Sequence, residues 1–170
     1  PALPIHPFRE RAIAELRRAG SLILTAPTGS GKSTQVPQFL LGQSPGKVLV
    51  LEPRRIAARS LAARVAAETK TGLGETVGYQ VRFDSRCGPR TQVVFQTYGV
   101  FIQRMLKDPS LPGVGAVLLD EFHERTLECD LALAWLKALR RGPRPELLCV
   151  VMSATLDGAA LAGYLPGAAR

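Results

Sequence analysis

Five short apolar runs, Leu22–Thr25, Val48–Leu51, Val93–Phe95, Val117–Leu119 and Leu147–Met152, constrain this chain more than any other feature. They are continuous rather than alternating, rich in Val, Leu and Ile, and bounded by glycine and proline. That is the pattern of strands buried on both faces of a parallel sheet. Helix-like stretches separate them: Phe8–Arg18, Lys32–Leu41, Ile56–Lys70, Tyr98–Lys107, Leu127–Arg140 and a short one near Ala159–Tyr164. In the third of these, Ala57, Leu61 and Val65 recur at helical spacing and mark the face turned to the core. Strands alternating with helices predict a three-layer α/β domain with right-handed crossovers. With 170 residues the chain suits one such domain, residues 1–170. There is no internal repeat or linker, and Arg140–Pro145 is a helix stop and turn.

The segment Ala26-Pro-Thr-Gly-Ser-Gly-Lys-Ser-Thr34 follows the first apolar run and opens a helical stretch. That context gives a Gly-x-Gly-Lys-Ser pattern its meaning. Glycines allow the backbone N–H groups of Thr28, Gly29, Ser30, Gly31, Lys32, Ser33 and Thr34 to turn inward as a nest for phosphate oxygens. The following helix aims its positive end at the same anion. Lys32 supplies a mobile cation for the outer phosphates, and the Ser33 hydroxyl is a ligand for Mg²⁺. The first glycine of the usual eight-residue pattern is Ala26 here, a small residue that leaves the chemistry in place.

A second polar cluster, Asp120-Glu121-Phe122-His123, follows the fourth apolar run directly. Its carboxylates therefore stand at the carboxyl edge of the sheet, where ligands bind in open α/β folds. Asp120 is placed to hold Mg²⁺ and Glu121 to orient or deprotonate an attacking water, with Glu121 also near the metal. Phosphate loop and acid pair, in this order and each behind a strand, indicate a nucleoside triphosphatase that uses Mg²⁺. His123 is a functional candidate by its place beside the acids.

The formal charge is +8, from 22 Lys and Arg against 14 Asp and Glu, which points to a polyanionic partner. Cys87, Cys129 and Cys149 share no short spacing, which argues against a zinc site or a disulfide scaffold. No apolar run approaches the roughly 20 residues that cross a bilayer, and the amino terminus lacks a signal-peptide layout. A cytoplasmic protein without a membrane partner is expected.

Asp120-Glu121-Phe122-His123-Glu124-Arg125 resembles the DEAH-box signature of superfamily 2 helicases, with Phe122 where alanine is usual, as in the bacterial HrpB-type branch. Other segments agree in order. Glu52-Pro53-Arg54-Arg55-Ile56-Ala57-Ala58-Arg59 is similar to motif Ia, and Val77–Phe83 to a Gly-Tyr-x-Val-Arg-Phe segment. Gln96-Thr97-Tyr98-Gly99 takes the motif Ib position, with Tyr98 where an acid is common. Ser153-Ala154-Thr155 is similar to motif III. The resemblance spans Ile5 to Leu165.

It implies a RecA-like P-loop NTPase fold and an ATP-dependent RNA helicase. Arg54, Arg55 and Thr97 would hold the backbone of single-stranded RNA, DNA not being excluded. Arg64 would stack on the adenine. Ser153 and Thr155 would couple nucleotide to movement through hydrogen bonds to His123. Leu131, Leu133, Trp135 and Leu136 are expected in the core or packed against a second lobe. Only the first lobe of such a motor is expected here, so the second, with its arginine finger, is a partner from elsewhere in the parent chain. The isolated chain is expected to be monomeric, to bind nucleotide weakly and to turn it over little. A P-loop ATPase of another class, or a nucleotide-gated RNA-binding module without unwinding, are the competing readings.

Overall fold

The computed structural model describes residues 3–155 and 158–170; Pro1, Ala2, Leu156 and Asp157 lie outside it. After a short 3₁₀ turn at His6–Phe8, helix α1 (Arg9–Ala19) leads into strand β1 (Ser21–Thr25). Then follow α2 (Lys32–Phe39), β2 (Lys47–Glu52), α3 (Arg55–Glu68), β3 (Val77–Val81), β4 (Asp84–Arg86) and β5 (Val93–Thr97). The remainder is α4 (Tyr98–Lys107), β6 (Val114–Leu119), a 3₁₀ turn at Phe122–Glu124, α5 (Leu127–Arg141), β7 (Leu148–Ser153) and α6 (Gly158–Tyr164). All five expected strands and all six expected helices are present, with ends displaced by a few residues at most.

The strands form one sheet in the order β1-β7-β6-β2-β5-β3-β4. Every pairing is parallel except β3 with β4, an antiparallel hairpin at the edge. Neighbouring residues of the central strands serve opposite faces, as the twofold repeat of a strand requires. Val48 and Val50 pack under α1, α2 and α3, whereas Leu49 and Leu51 pack under α4, α5 and α6. Three layers result, helices on both sides of a sheet whose central strands are apolar.

Strands β3 and β4 were not among the expected runs. Gly78 and Gln80 interrupt the apolar pattern there, and β4 is Asp-Ser-Arg. Gly78 has a packing reason: a Cβ on it would lie 2.1 Å from the Arg86 carbonyl oxygen.

Helix α3 corrects one expectation. Its buried stripe is Ala58, Ala62, Val65 and Ala66, with Leu61 partly buried and Ala57 at the margin. Three of the four are alanines, so the helix lies close to the sheet, and the bulk of Leu61 misplaced the face by one residue. On α5, Leu133 and Leu136 are buried and Trp135 partly so, while Leu131 is exposed. Cys129 and Cys149 are buried, and burial pushes the Cys149 thiol up to about 12. Among the described residues no helix is long and apolar enough to cross a membrane.

Candidate nucleotide site and nucleic-acid groove

Strand β1 ends at Thr25 and helix α2 begins at Lys32, so the phosphate loop is the whole of their connection. Gly29 and Gly31 have φ of 83° and 94°, values that a side chain resists. At Gly31 a Cβ would also stand 2.8 Å from the Leu3 side chain, which closes over the loop from the amino-terminal segment. The Ile5 N–H reaches the Ser30 carbonyl at 3.3 Å and fixes that cover.

Lys32 is 4% exposed, and its Nζ donates to the Pro27 carbonyl at 3.4 Å. Ser30 Oγ is buried without a partner among the described residues. Thr28, Gly29, Gly31, Lys32, Ser33 and Thr34 line a cavity of about 160 Å³ together with Arg64 and Glu121. The sequence candidates from three separate segments thus meet at one place.

At the end of β6, Asp120 is fully buried. Its Oδ1 accepts the Glu121 N–H at 2.9 Å, and its Oδ2 is left without a partner. A buried, unpaired carboxylate oxygen is costly unless a cation meets it. A carboxylate oxygen, like the Ser33 hydroxyl at the start of α2, is the kind of donor that suits a hard ion such as Mg²⁺. Glu121 has φ 51°, ψ 36°, a left-handed conformation unusual for a non-glycine residue and typical of strained functional positions.

His123 joins two motifs. The backbone N–H of Ala154 lies 3.3 Å from His123 Nδ1, which must accept, so the ring proton sits on Nε2 and faces Glu121 Oε2 at 3.1 Å. The expected hydrogen bonds from Ser153 and Thr155 to His123 are not those formed. The backbone between the two residues makes the contact instead, while Ser153 Oγ accepts the Thr155 N–H at 3.2 Å.

A second, larger cavity of about 990 Å³ runs beyond the ends of β2 and β5 and along α4. Arg55 and Thr97 line it, with Gln80, Arg82, Arg104 and Lys107. Thr97 also caps α4 by accepting the Val100 N–H. Arg54 takes a different direction: its Nη2 pairs with Glu124 Oε1 at 2.7 Å.

Sequence reasoning passed over Arg104 and Lys107, although two cations three residues apart on one helix signal a shared face. It also passed over Glu52. That carboxyl is 1% exposed at the end of β2. Burial holds its pKa well above the ordinary 4.5, and the nearby Asp120, Glu121 and Glu124 carboxylates push the same way. An acid closing an apolar run was its only signal.

The sequence profile of the DEAD/DEAH box helicases matches residues 6–162. The ATP-dependent RNA helicase HrpB of Escherichia coli (strain K12) is 44% identical over 169 residues, covering 98% of this chain and 21% of that protein. The probable ATP-dependent RNA helicase DHR2 of Saccharomyces cerevisiae is 41% identical over 160 residues, covering 91% of this chain and 22% of its own length. The crystal structure of the Escherichia coli DEAH/RHA helicase HrpB superposes with a TM-score of 0.93 at 44% identity, over 99% of this chain and 22% of that one. The chain spans about a fifth of the length of these relatives.

Proposed function

This chain belongs to the DEAD/DEAH box helicase family, and from that premise we propose that it is the ATP-binding, RecA-like first lobe of an ATP-dependent RNA helicase. The observation that carries the reading is the convergence of the phosphate loop, Arg64 and Glu121 on one cavity at the carboxyl edge of the sheet.

Backbone N–H groups from Gly29 to Thr34 cradle the phosphates of ATP, and Lys32 neutralises the outer ones. Arg64 stacks on the adenine. Ser33 and Asp120 hold Mg²⁺, with Glu121 beside it; when bound, the ion screens the charge that develops on the phosphate oxygens. Glu121 orients the attacking water and takes its proton. His123 holds the Glu121 carboxylate, and through Ala154 connects it to the Ser153–Thr155 segment, which couples nucleotide state to movement. Single-stranded RNA lies along the second groove, its phosphates held by Arg54, Arg55 and Thr97, without sequence preference. DNA is the alternative strand.

A second RecA-like lobe of the same parent closes over ATP and supplies an arginine, typically worth about 10³–10⁵ in rate. The 170-residue chain alone is then a weak nucleotide binder with little turnover, a monomer, and a part of a cytoplasmic protein. The test is Glu121→Gln in the full-length protein. RNA-dependent ATP turnover falls by about 10²–10⁴, the usual worth of a positioned general base, while ADP binding persists. Unchanged turnover overturns the assignment.

A further inference from the structure

We propose that Glu52 and Tyr98 are positioning residues that tie the nucleic-acid groove to the acid pair at the nucleotide site. The inference rests on the two ligand sites proposed above.

The sheet order sets β6, β2 and β5 side by side. Leu51 pairs with Leu119, and Glu52 with Thr97. One step along, Asp120, Glu52 and Thr97 therefore form a row across the carboxyl edge. At one end of the row is the proposed metal-binding carboxylate; at the other is a groove residue. Glu52 stands between them, buried, with its carboxyl against that of Asp120.

Tyr98 makes a second connection. Its side chain is buried, and its hydroxyl donates to the Asp120 carbonyl at 2.7 Å. Tyr98 follows Thr97 directly and opens α4, so no slack separates a phosphate held at Thr97 from the hydroxyl that holds Asp120. The β2 side mirrors this: Glu52 is followed closely by Arg55, which lines the same groove and opens α3. Both strands that lead into the groove thus reach Asp120, β2 through Glu52 at its side chain and β5 through the following Tyr98 at its backbone.

Glu121 comes next, in its left-handed conformation. A closely packed interior passes on a displacement rather than absorbing it. A shift at the start of α3 or α4 on strand binding therefore moves the peptide between Asp120 and Glu121 and re-aims the Glu121 carboxylate. Neither Glu52 nor Tyr98 needs to touch RNA or nucleotide for this.

The test uses the full-length protein with Tyr98→Phe, which keeps the ring and removes the hydroxyl, and separately with Glu52→Gln, which keeps the shape. ATP turnover is measured without RNA and at saturating oligouridylate, and the affinities for ADP and for the oligonucleotide are measured alongside. The ratio of RNA-stimulated to RNA-free turnover falls by about 3- to 30-fold, the range in which single residues modulate coupling, while both affinities stay within about twofold. An unchanged ratio in both variants overturns the link. So does a parallel fall of both rates at constant ratio, which would make these residues supports of Asp120 alone. If the unsubstituted protein shows no stimulation by RNA, the helicase reading fails and the link fails with it. Stimulation intact in the parent but insensitive to both substitutions sinks the link only.

Discussion

The proposed nucleotide cavity and the proposed nucleic-acid groove share one edge of the sheet but are built on opposite principles. The first is small, about 160 Å³, and the segments that form it, the phosphate loop and the end of β6, carry several buried polar groups. Lys32, Ser30 and Asp120 are all buried, and Ser30 Oγ and Asp120 Oδ2 lack partners among the described residues. The second is about 990 Å³, and its cations Arg55, Arg82 and Lys107 are exposed. A site with buried, unmet hydrogen-bonding capacity is completed by its ligand, and each group is worth much because the local dielectric is low. A site of exposed cations gains less per contact and loses it to salt. Chemistry that depends on a fixed geometry occupies the first kind of site, and passage of a strand suits the second.

The largest expected break in this comparison is Lys32→Ala. Its Nζ donates to the Pro27 carbonyl at a long 3.4 Å, which leaves the cation largely free for phosphate. Hydrogen bonds to a charged group are worth about 1.5–3 kcal/mol, so affinity for ADP falls by about 10- to 100-fold. Titration with labelled ADP reads this directly. A loss below about twofold would mean that the buried site does not depend on its cation, and the contrast with the groove would collapse.

On the groove side the substitution is Arg54→Ala with Arg55→Ala, and the reading is a slope. Each phosphate contact to a single strand contributes about 0.7 to the dependence of log affinity on log salt. The double variant therefore flattens that slope by up to about 1.4, against an ADP affinity that hardly moves. The singles sharpen the point. Arg54 must leave Glu124 to meet a phosphate, giving up an exposed ion pair worth about 0.2–1 kcal/mol. Arg55→Ala then weakens RNA binding more than Arg54→Ala. Equal losses would show that the Glu124 pair is absent in solution.

How much of this was legible beforehand follows the same division. The phosphate loop and the acid pair declare themselves because their chemistry needs particular residues at consecutive positions. The central strands declare themselves because both their faces are buried. What stayed hidden depends on contacts between distant segments. Nothing local to Arg54 reveals a partner 70 positions away. Nothing local to Ser153 or Thr155 says that the peptide between them, rather than either hydroxyl, meets His123. The β3–β4 hairpin was missed for a different reason: it is an edge, half polar and glycine-bearing, and lacks the apolar continuity that marked the other strands. Glu52 was missed because an acid after an apolar run looks like a strand reaching solvent, whereas here it stays buried on a strand flanked by β6 and β5.

Glu52 also provides the prediction with the smallest effect on either ligand's affinity, since it touches neither. Its folded-state pKa is raised, first by burial and then by the Asp120, Glu121 and Glu124 carboxylates. The folded chain therefore keeps a proton that the unfolded chain releases above about pH 4.5, the ordinary value. Whatever holds more protons is disfavoured as pH rises. Stability contributed by this group is thus whole below about pH 4.5 and declines as pH climbs through the raised folded value, then levels off. Glu52→Gln removes the titration but keeps the shape. In urea unfolding of the ligand-free chain, the variant matches the parent near pH 4 and becomes the more stable as pH rises. A gap that is constant with pH would show that Glu52 is not held in its protonated form. A gap that widens would establish that the nucleotide side carries its unmet polar capacity one layer deeper than its ligand-contacting residues, which the exposed groove has no means to do.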